Sequence, residues 1–285
     1  LTGRERFHQY SIVNNQSSIK RGCKDMQNLL EKIYQDRGFD FREYRESTLT
    51  RRLGRRLRAR GAETYAHYAC ILDKDPGEYD KLFNDLTINV TGFFRDQAAF
   101  KALEESVIPA LVRKRARDIR IWSAGCASGE EPYSIAMLLM EMLGSEISSR
   151  NITILGTDID IQVLKRAREG VFTPKEVQGI LPALLDKYFV SGNKGFHVKP
   201  ALGRIITFEE HNLVSDFPYR EMDLVVCRNV LIYFLPQLQT QVLERFHAGL
   251  GKGGFLLLGK AEVPVGKARE LFRCVDKKAK LYRKN

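Results

Sequence analysis

Residues 122–134 read WSAGCASGEEPYS, with Gly125 and Gly129 between a strand-like run, IRIWSAG, and a helix-like run, SIAMLLMEML. Glycine lets a backbone turn sharply and approach a ligand closely. A strand, a glycine turn and a helix start are how α/β sheets hold nucleotides. Here the helix start carries Glu130 and Glu131. Two acids repel a phosphate, and the spacing is neither GxGxxG nor GxxxxGK[ST]. They also complement the helix macrodipole, and Pro132 suits a first turn, so capping alone accounts for them. The chemical alternative is a nucleoside ligand without phosphate and with positive charge. S-adenosylmethionine, with its adenosine, sulfonium and ammonium, is such a ligand.

A second acid stands where that ligand needs one. The run NITILGTDID ends at Asp158, one strand after the glycine turn. A carboxylate at a strand end accepts ribose hydroxyls in dinucleotide folds. Asp160 is placed to cap the following helix, IQVLKRAR. Further on, RIITFEEHNL brings His211, Asn212 and Leu213 to a strand end, where backbone and an apolar side chain would flank an adenine. MDLVVCRNVLIYF runs from apolar residues into Arg228 and Asn229, which marks the carboxyl edge of the sheet. Cys227 reads as a small apolar packing residue.

The elements that must position these residues fall into two textures. From about 24 to 88 the patterns are helical: MQNLLEKIYQDRG, TLTRRLGRRLRARG, TYAHYACILDKDPG and EYDKLFNDLTI. From about 98, helices alternate with strands. AAFKALEESVIPALVRKRA precedes IRIWSAG, and PQLQTQVLERFHAGL precedes GGFLLLGKAEV. That alternation predicts an α/β fold with a mostly parallel sheet covered on both faces. The final LFRCVDKKAKLYRK is expected to form a hairpin partner. Between 171 and 203 the rhythm breaks, and Gly192 to Gly195 reads as the turn of a small β insertion. Residues 1 to 20 are polar and aperiodic and read as a disordered tail.

The 285 residues carry a net charge of +11, which points to an anionic partner without naming its class. The five cysteines are scattered and lack metal-ligand spacing, so reduced thiols, a cytoplasmic location and no metal site are expected. No run has the length of a membrane span, and no signal peptide is visible.

NVTGFFRD (89–96), WSAGCASGEEPYSIA (122–136), GTDID (156–160), HNL (211–213) and CRNVLIYF (227–234) together resemble the chemotaxis receptor methyltransferases, the CheR family. The resemblance runs from about 25 to 284. It implies a Rossmann-like S-adenosylmethionine-dependent methyltransferase sheet over 89–285 with the small β subdomain at 171–203. It implies an all-helical N-terminal substrate-recognition domain over 21–88. The implied reaction moves a methyl group from S-adenosylmethionine to glutamate side chains on cytoplasmic helices of chemoreceptors, leaving glutamate methyl esters and S-adenosylhomocysteine. By the resemblance, Asn89, Thr91, Arg95, Gly125, Glu130, Asp158, Asn212, Leu213, Arg228 and Asn229 form the cofactor site. Glu130 would meet the ammonium end, Asp158 the ribose, and Asn212 and Leu213 the adenine. Arg95 and Tyr233 would flank the transferring methyl as the catalytic pair. Gly92 and Cys126 depart from the family pattern; the first loosens its loop, and the second is tolerated where only backbone lines the ligand.

Such chemistry asks little of the protein. A glutamate has a reference pKa near ~4.3 and is already a nucleophile at neutral pH. Positioning can supply ~7–11 kcal/mol of the barrier. In TLTRRLGRRLRARG, Leu49, Leu53 and Leu57 form one stripe, and Arg51, Arg55 and Arg58 lie on the opposite face. Arg52 and Arg56 flank the leucines, so the face is nearly all one sign and calls for an acidic partner. The resemblance supplies one, so Arg51, Arg55 and Arg58 are candidate substrate-binding residues. The helix lacks the interleaved aromatics that stack on bases, which argues against nucleic acid. A second cluster, Arg113, Lys114, Arg115 and Arg117, reads as a solvated helix end. The expected state is a monomer without membrane insertion.

Overall fold

The computed structural model describes residues 25–87, 89–113 and 118–285. The tail expected over 1–20, and Lys114, Arg115 and Arg117, lie outside them. The chain divides into two compact units, one ending at Thr87 and one starting at residue 88.

Among its described residues the first unit packs four helices: α1 over residues 25–37, α2 (Glu46–Ala59), α3 (Tyr65–Lys74) and α4 (Glu78–Leu86). Leu49, Leu53 and Leu57 of α2 are buried, as their four-residue spacing requires. They join Leu29, Ile33, Tyr68, Leu72 and Leu82 in one core. Thr64 caps α3 through its side chain, which accepts from the His67 amide. Of the face expected from sequence Arg55 is compensated within the unit, as are the flanking Arg52 and Arg56. Arg56 grips the fully buried Glu78, with Nη2 at 2.8 Å, and the Tyr68 hydroxyl donates to the same carboxylate at 2.8 Å. Arg52 donates to the carbonyls of Asp85, Leu86 and Thr87 at the end of α4, where the last turn lacks intrahelical donors. Arg55 pairs with Asp85. Arg51 and Arg58 are exposed. Periodicity places a residue on a helix face but says nothing of acids thirty positions away, so the compensation was hidden.

The second unit opens with a continuous helical segment: α5 (Gln97–Ala102), a π-turn (Leu103–Val107) and α6 (Ile108–Val112). Pro109 lacks an amide hydrogen and would crowd the carbonyl four residues earlier; the wider turn before it relieves both. Then follow β1 (Asp118–Ala124), α7 (Glu130–Leu143), β2 (Asn151–Asp158), α8 (Ile161–Glu169), β3 (Val171–Phe172), α9 (Pro182–Tyr188), β4 (Phe189–Gly192), β5 (Gly195–Val198) and α10 (Pro200–Gly203). The chain continues through β6 (Ile206–Glu210), β7 (Met222–Cys227), α11 (Pro236–Gly249), β8 (Leu250–Leu258), α12 (Ala268–Leu271), β9 (Phe272–Asp276) and β10 (Leu281–Lys284). Seven strands form one sheet in the order β6-β2-β1-β7-β8-β10-β9. The first five are parallel, and β10 runs antiparallel to both its neighbours. Strand order reverses at β1, which has β2 on one side and β7 on the other. A ligand crevice opens at the carboxyl ends of strands flanking such a point.

Two strands stop just before the residues that the sequence places at the sheet edge. β6 ends at Glu210, before His211, and β7 ends at Cys227. Asn229 adopts a φ of 62°, which no strand tolerates, and Leu231–Tyr233 form a single 3-10 turn. The insertion holds a three-stranded antiparallel sheet, β3-β5-β4, together with α9 and α10. Gly192 pairs with Gly195 across the Asn193–Lys194 turn. Phe172 and Phe189 of this sheet pack edge-on against Phe93, with centroids 4.8 and 5.7 Å apart. The insertion therefore anchors the NVTGFFRD loop.

Candidate active site

Four segments converge on the carboxyl edge of the parallel strands: the 89–96 loop, the glycine turn after β1, the end of β2 and the chain beyond β7. In the glycine turn, Gly125 has a φ of 80°. A Cβ there would stand 2.5 Å from Val230 Cγ2, so only glycine fits. The amides of Gly125 and Cys126 both donate to the Thr157 carbonyl, at 2.7 and 2.8 Å. The Ala127 amide donates to Asp158 Oδ2 at 2.9 Å. Cys126 is buried, and burial pushes its thiol well above the ordinary range, which leaves it inert.

Asp158 is buried, and burial pushes its carboxyl above the usual carboxylate range. Its second oxygen accepts from the Asp160 amide at 3.0 Å. Two amides leave lone pairs on both oxygens, enough to accept a vicinal diol. Asp160 caps α8, accepting from the Gln162 and Val163 amides, and its other oxygen accepts from Asn89 Nδ2 at 2.9 Å. Asn89, expected among the cofactor contacts, thus ties its loop to the end of β2.

The two glutamates of the turn part company. Glu131 accepts from the Ser123 hydroxyl at 2.7 Å and from Arg228 Nη1 at 3.1 Å. Glu130 is buried and accepts from the Ser128 hydroxyl at 2.8 Å. Burial is the largest influence on Glu130 and raises its pKa. A buried carboxylate that meets a hydroxyl rather than a cation is the one expected to receive a cationic group.

Arg228 is buried, and its second Nη donates to Asp96 at 2.6 Å and to the Arg95 carbonyl at 2.7 Å. With Glu131 it clamps the 89–96 loop to the start of α7. This geometry places Arg228 as a brace for that loop. Arg95 turns its guanidinium to the Val90 carbonyl at 2.7 Å, and Thr91 is half-buried in the same loop. The Phe94 amide donates to Ser134 of α7 at 3.0 Å. A Cβ on Gly92 would meet nothing within 4 Å, so this position does not shape the site.

Asn212 Oδ1 accepts from the Val214 amide at 2.9 Å, and the Asn212 amide donates to Asp216 at 2.8 Å. Its carboxamide oxygen is turned to its own loop, and Leu213 is half-buried beside it. Trp122 and His211 lie beneath, with centroids 5.2 Å apart, and Trp122 Nε1 donates to the Thr157 hydroxyl at 2.9 Å. Burial lowers the His211 pKa and keeps the imidazole neutral. Tyr233 sits half-buried at the end of the 3-10 turn.

Glu262 went unnoticed in the sequence. It is buried and accepts from the amides of Gly259, Asn229 and Ile232 at 2.7, 2.9 and 3.2 Å. It therefore ties the chain beyond β7, including Asn229 and the turn that carries Tyr233, to the end of β8. An acid four residues past an apolar strand was its only signal.

The donor set suits S-adenosylmethionine. Glu130 and Asp158 are buried acceptors, and Asn229 Oδ1 is a buried acceptor without a hydrogen-bond partner among the described residues. A ligand bearing an ammonium, a sulfonium and ribose hydroxyls brings the donors and charge that such acceptors lack.

Comparison with known proteins agrees. The CheR methyltransferase SAM-binding domain matches residues 89–281, and the CheR methyltransferase all-alpha domain matches 24–87. A chemotaxis protein methyltransferase of Listeria monocytogenes is 34% identical over 230 residues, 81% of this chain and 86% of that protein. One of Escherichia coli is 35% identical over 240 residues, 81% of each. An uncharacterised 104.1 kDa protein of Rhodobacter capsulatus is 36% identical over 79% of this chain, which spans 24% of that protein's length. Together the two matches take in most of the chain, which belongs to the CheR methyltransferase family as an S-adenosylmethionine-dependent methyltransferase.

Proposed function

We propose that the chain transfers a methyl group to glutamate side-chain carboxylates of chemoreceptors, leaving glutamate methyl esters, and that it works in the cytoplasm as a monomer. The bound cofactor supplies the activated methyl group on its sulfonium. Glu130 holds the ammonium end and Asp158 the ribose. Asn212 and Leu213 flank the adenine. Arg95 orients the acceptor carboxylate, and Tyr233 packs beside the methyl. Arg228 and Asn229 shape the rim, the first by bracing the 89–96 loop. The helical unit recognises the receptor through Arg51, Arg55 and Arg58, with Arg55 already shared with Asp85.

One observation carries this reading: among the described residues the acids at the site rim are already engaged and the imidazole is buried, while Arg95 offers a cation. Asp96 and Glu131 are held by Arg228, Asp160 caps a helix, and His211 is buried against Trp122 and Tyr219. Such a site suits an acceptor that is already ionised, as a glutamate is at neutral pH. The chemotaxis methyltransferases among its relatives favour a chemoreceptor as the acceptor. The test is transfer of a radiolabelled methyl group from S-adenosylmethionine to a receptor cytoplasmic fragment. The label is expected to leave as methanol in mild base. Base-stable label, or label incorporated into RNA instead, rejects the proposal.

A further inference from the structure

The carboxyl edge of the sheet continues past the cofactor turn into a recess of about 200 Å³. Its lining includes Asp96, Arg228, Lys260 and Lys278. β7, β8 and β10 are neighbours in the sheet, and each contributes one cation at the same edge. Arg228 directly follows β7, Lys260 follows β8, and Lys278 precedes the antiparallel β10. The only acid in the lining, Asp96, is engaged by Arg228 at 2.6 Å. Lys260 and Lys278 are exposed, and among the described residues neither ammonium has a carboxylate within ion-pair distance. Arg228 Nε is buried without a hydrogen-bond partner among the described residues. Gathered like charges repel one another, and a buried donor left unpaired is unfavourable. A single anion in the recess relieves both.

Ala99, Leu258 and Ala279 complete the walls, and they give the recess an apolar flank. A free phosphate has no use for that flank, whereas the methylenes of an acidic side chain pack against it. Asp96 also adjoins Arg95, which is assigned above to the acceptor carboxylate. We propose that this recess takes a second carboxylate of the acceptor protein, a glutamate or aspartate other than the one methylated, and so selects which acid is presented to the donor. The identity of the acceptor rests on the methyl-transfer reading above.

The test is the double variant K260E/K278E, with K252E as control; Lys252 is exposed on the first half of β8, away from the recess. The probe is a glutamate-rich peptide from a chemoreceptor methylation region, beside a version with every acid but the acceptor changed to glutamine. Peptide binding is read by fluorescence anisotropy, independently of turnover, and methyl transfer is read in parallel. The double variant is expected to weaken binding and raise KM for the acidic peptide by about tenfold. Affinity for S-adenosylhomocysteine, kcat, and binding of the neutralised peptide should stay at wild-type values. The proposal is overturned if the double variant binds the acidic peptide as the wild type does. An equal loss in K252E, or an equal loss for the neutralised peptide, overturns it as well. Loss of acidic-peptide binding in a protein that forms no base-labile ester upholds the recess and rejects the methyl-transfer reading instead.

Discussion

Replacing Glu130 with glutamine tests the cofactor assignment most directly. The substitution keeps the size and one acceptor of the side chain and removes its charge. In the wild type the carboxylate is buried, meets the Ser128 hydroxyl and has its pKa raised by desolvation. The sign follows from linkage. An acid whose pKa is raised by folding contributes stability that is fully present below its unfolded pKa and is lost as the pH climbs through the folded value. At neutral pH the ionised group is therefore a liability to the ligand-free fold. Glu130→Gln should be at least as stable as the wild type there, by thermal melting. A cationic ligand reverses the preference. It favours the carboxylate, so wild-type affinity should fall as the pH drops through the raised pKa, where binding must first expel a proton. Loss of one charge-assisted hydrogen bond amounts to about 1.5–3 kcal/mol, or about 10- to 150-fold in affinity. Calorimetry with S-adenosylhomocysteine at neutral and mildly acidic pH reads both quantities. The variant should bind weakly with that pH dependence removed. Wild-type affinity in the variant, or an unchanged pH dependence, refutes the placement of the ammonium at Glu130.

Three further substitutions address the scaffold. Gly125→Ala forces a Cβ to a φ of 80° and against Val230; it should cost about 2–4 kcal/mol in denaturant unfolding and abolish cofactor binding. Arg228→Met leaves Asp96 and Glu131 without their shared cation; a loss of about 3–5 kcal/mol is expected, with proteolysis of the 89–96 loop as a second readout. Glu262→Gln sets a donor against amides that already donate, costing about 1–3 kcal/mol. Its kcat should fall more than its affinity for S-adenosylhomocysteine, because the displaced segment carries Tyr233.

The parts of the fold governed by short-range rules were open to reading from the sequence. The leucine stripe of α2, the glycine turn after β1 and the Gly192–Gly195 hairpin each follow from spacing within a dozen residues. Asp158 was legible because a strand and its exit are local. Arg228 was legible only as a polar residue at a sheet edge. Its partners Asp96 and Glu131 lie more than ninety residues away, and no periodicity connects them. Separations of 30 to 33 residues likewise hid Asp85 from Arg55 and the Asn229 and Ile232 amides from Glu262. The end of β7 was legible from the polar pair Arg228 and Asn229 that follows it, whereas the left-handed backbone of Asn229 was not.

That left-handed residue has company. Among the described residues six non-glycine positions have positive φ, and four of them, Phe94, Asp96, Ala127 and Asn229, belong to the loops that build the site. Each such position withholds about 1–3 kcal/mol from the fold. Glycine at any of them would relax the backbone and loosen the loop that it shapes. Heat tolerance and turnover thus compete for the same few residues, and a thermostable version of this enzyme is better sought in the helical unit or along the outer strands than at the sheet's carboxyl edge.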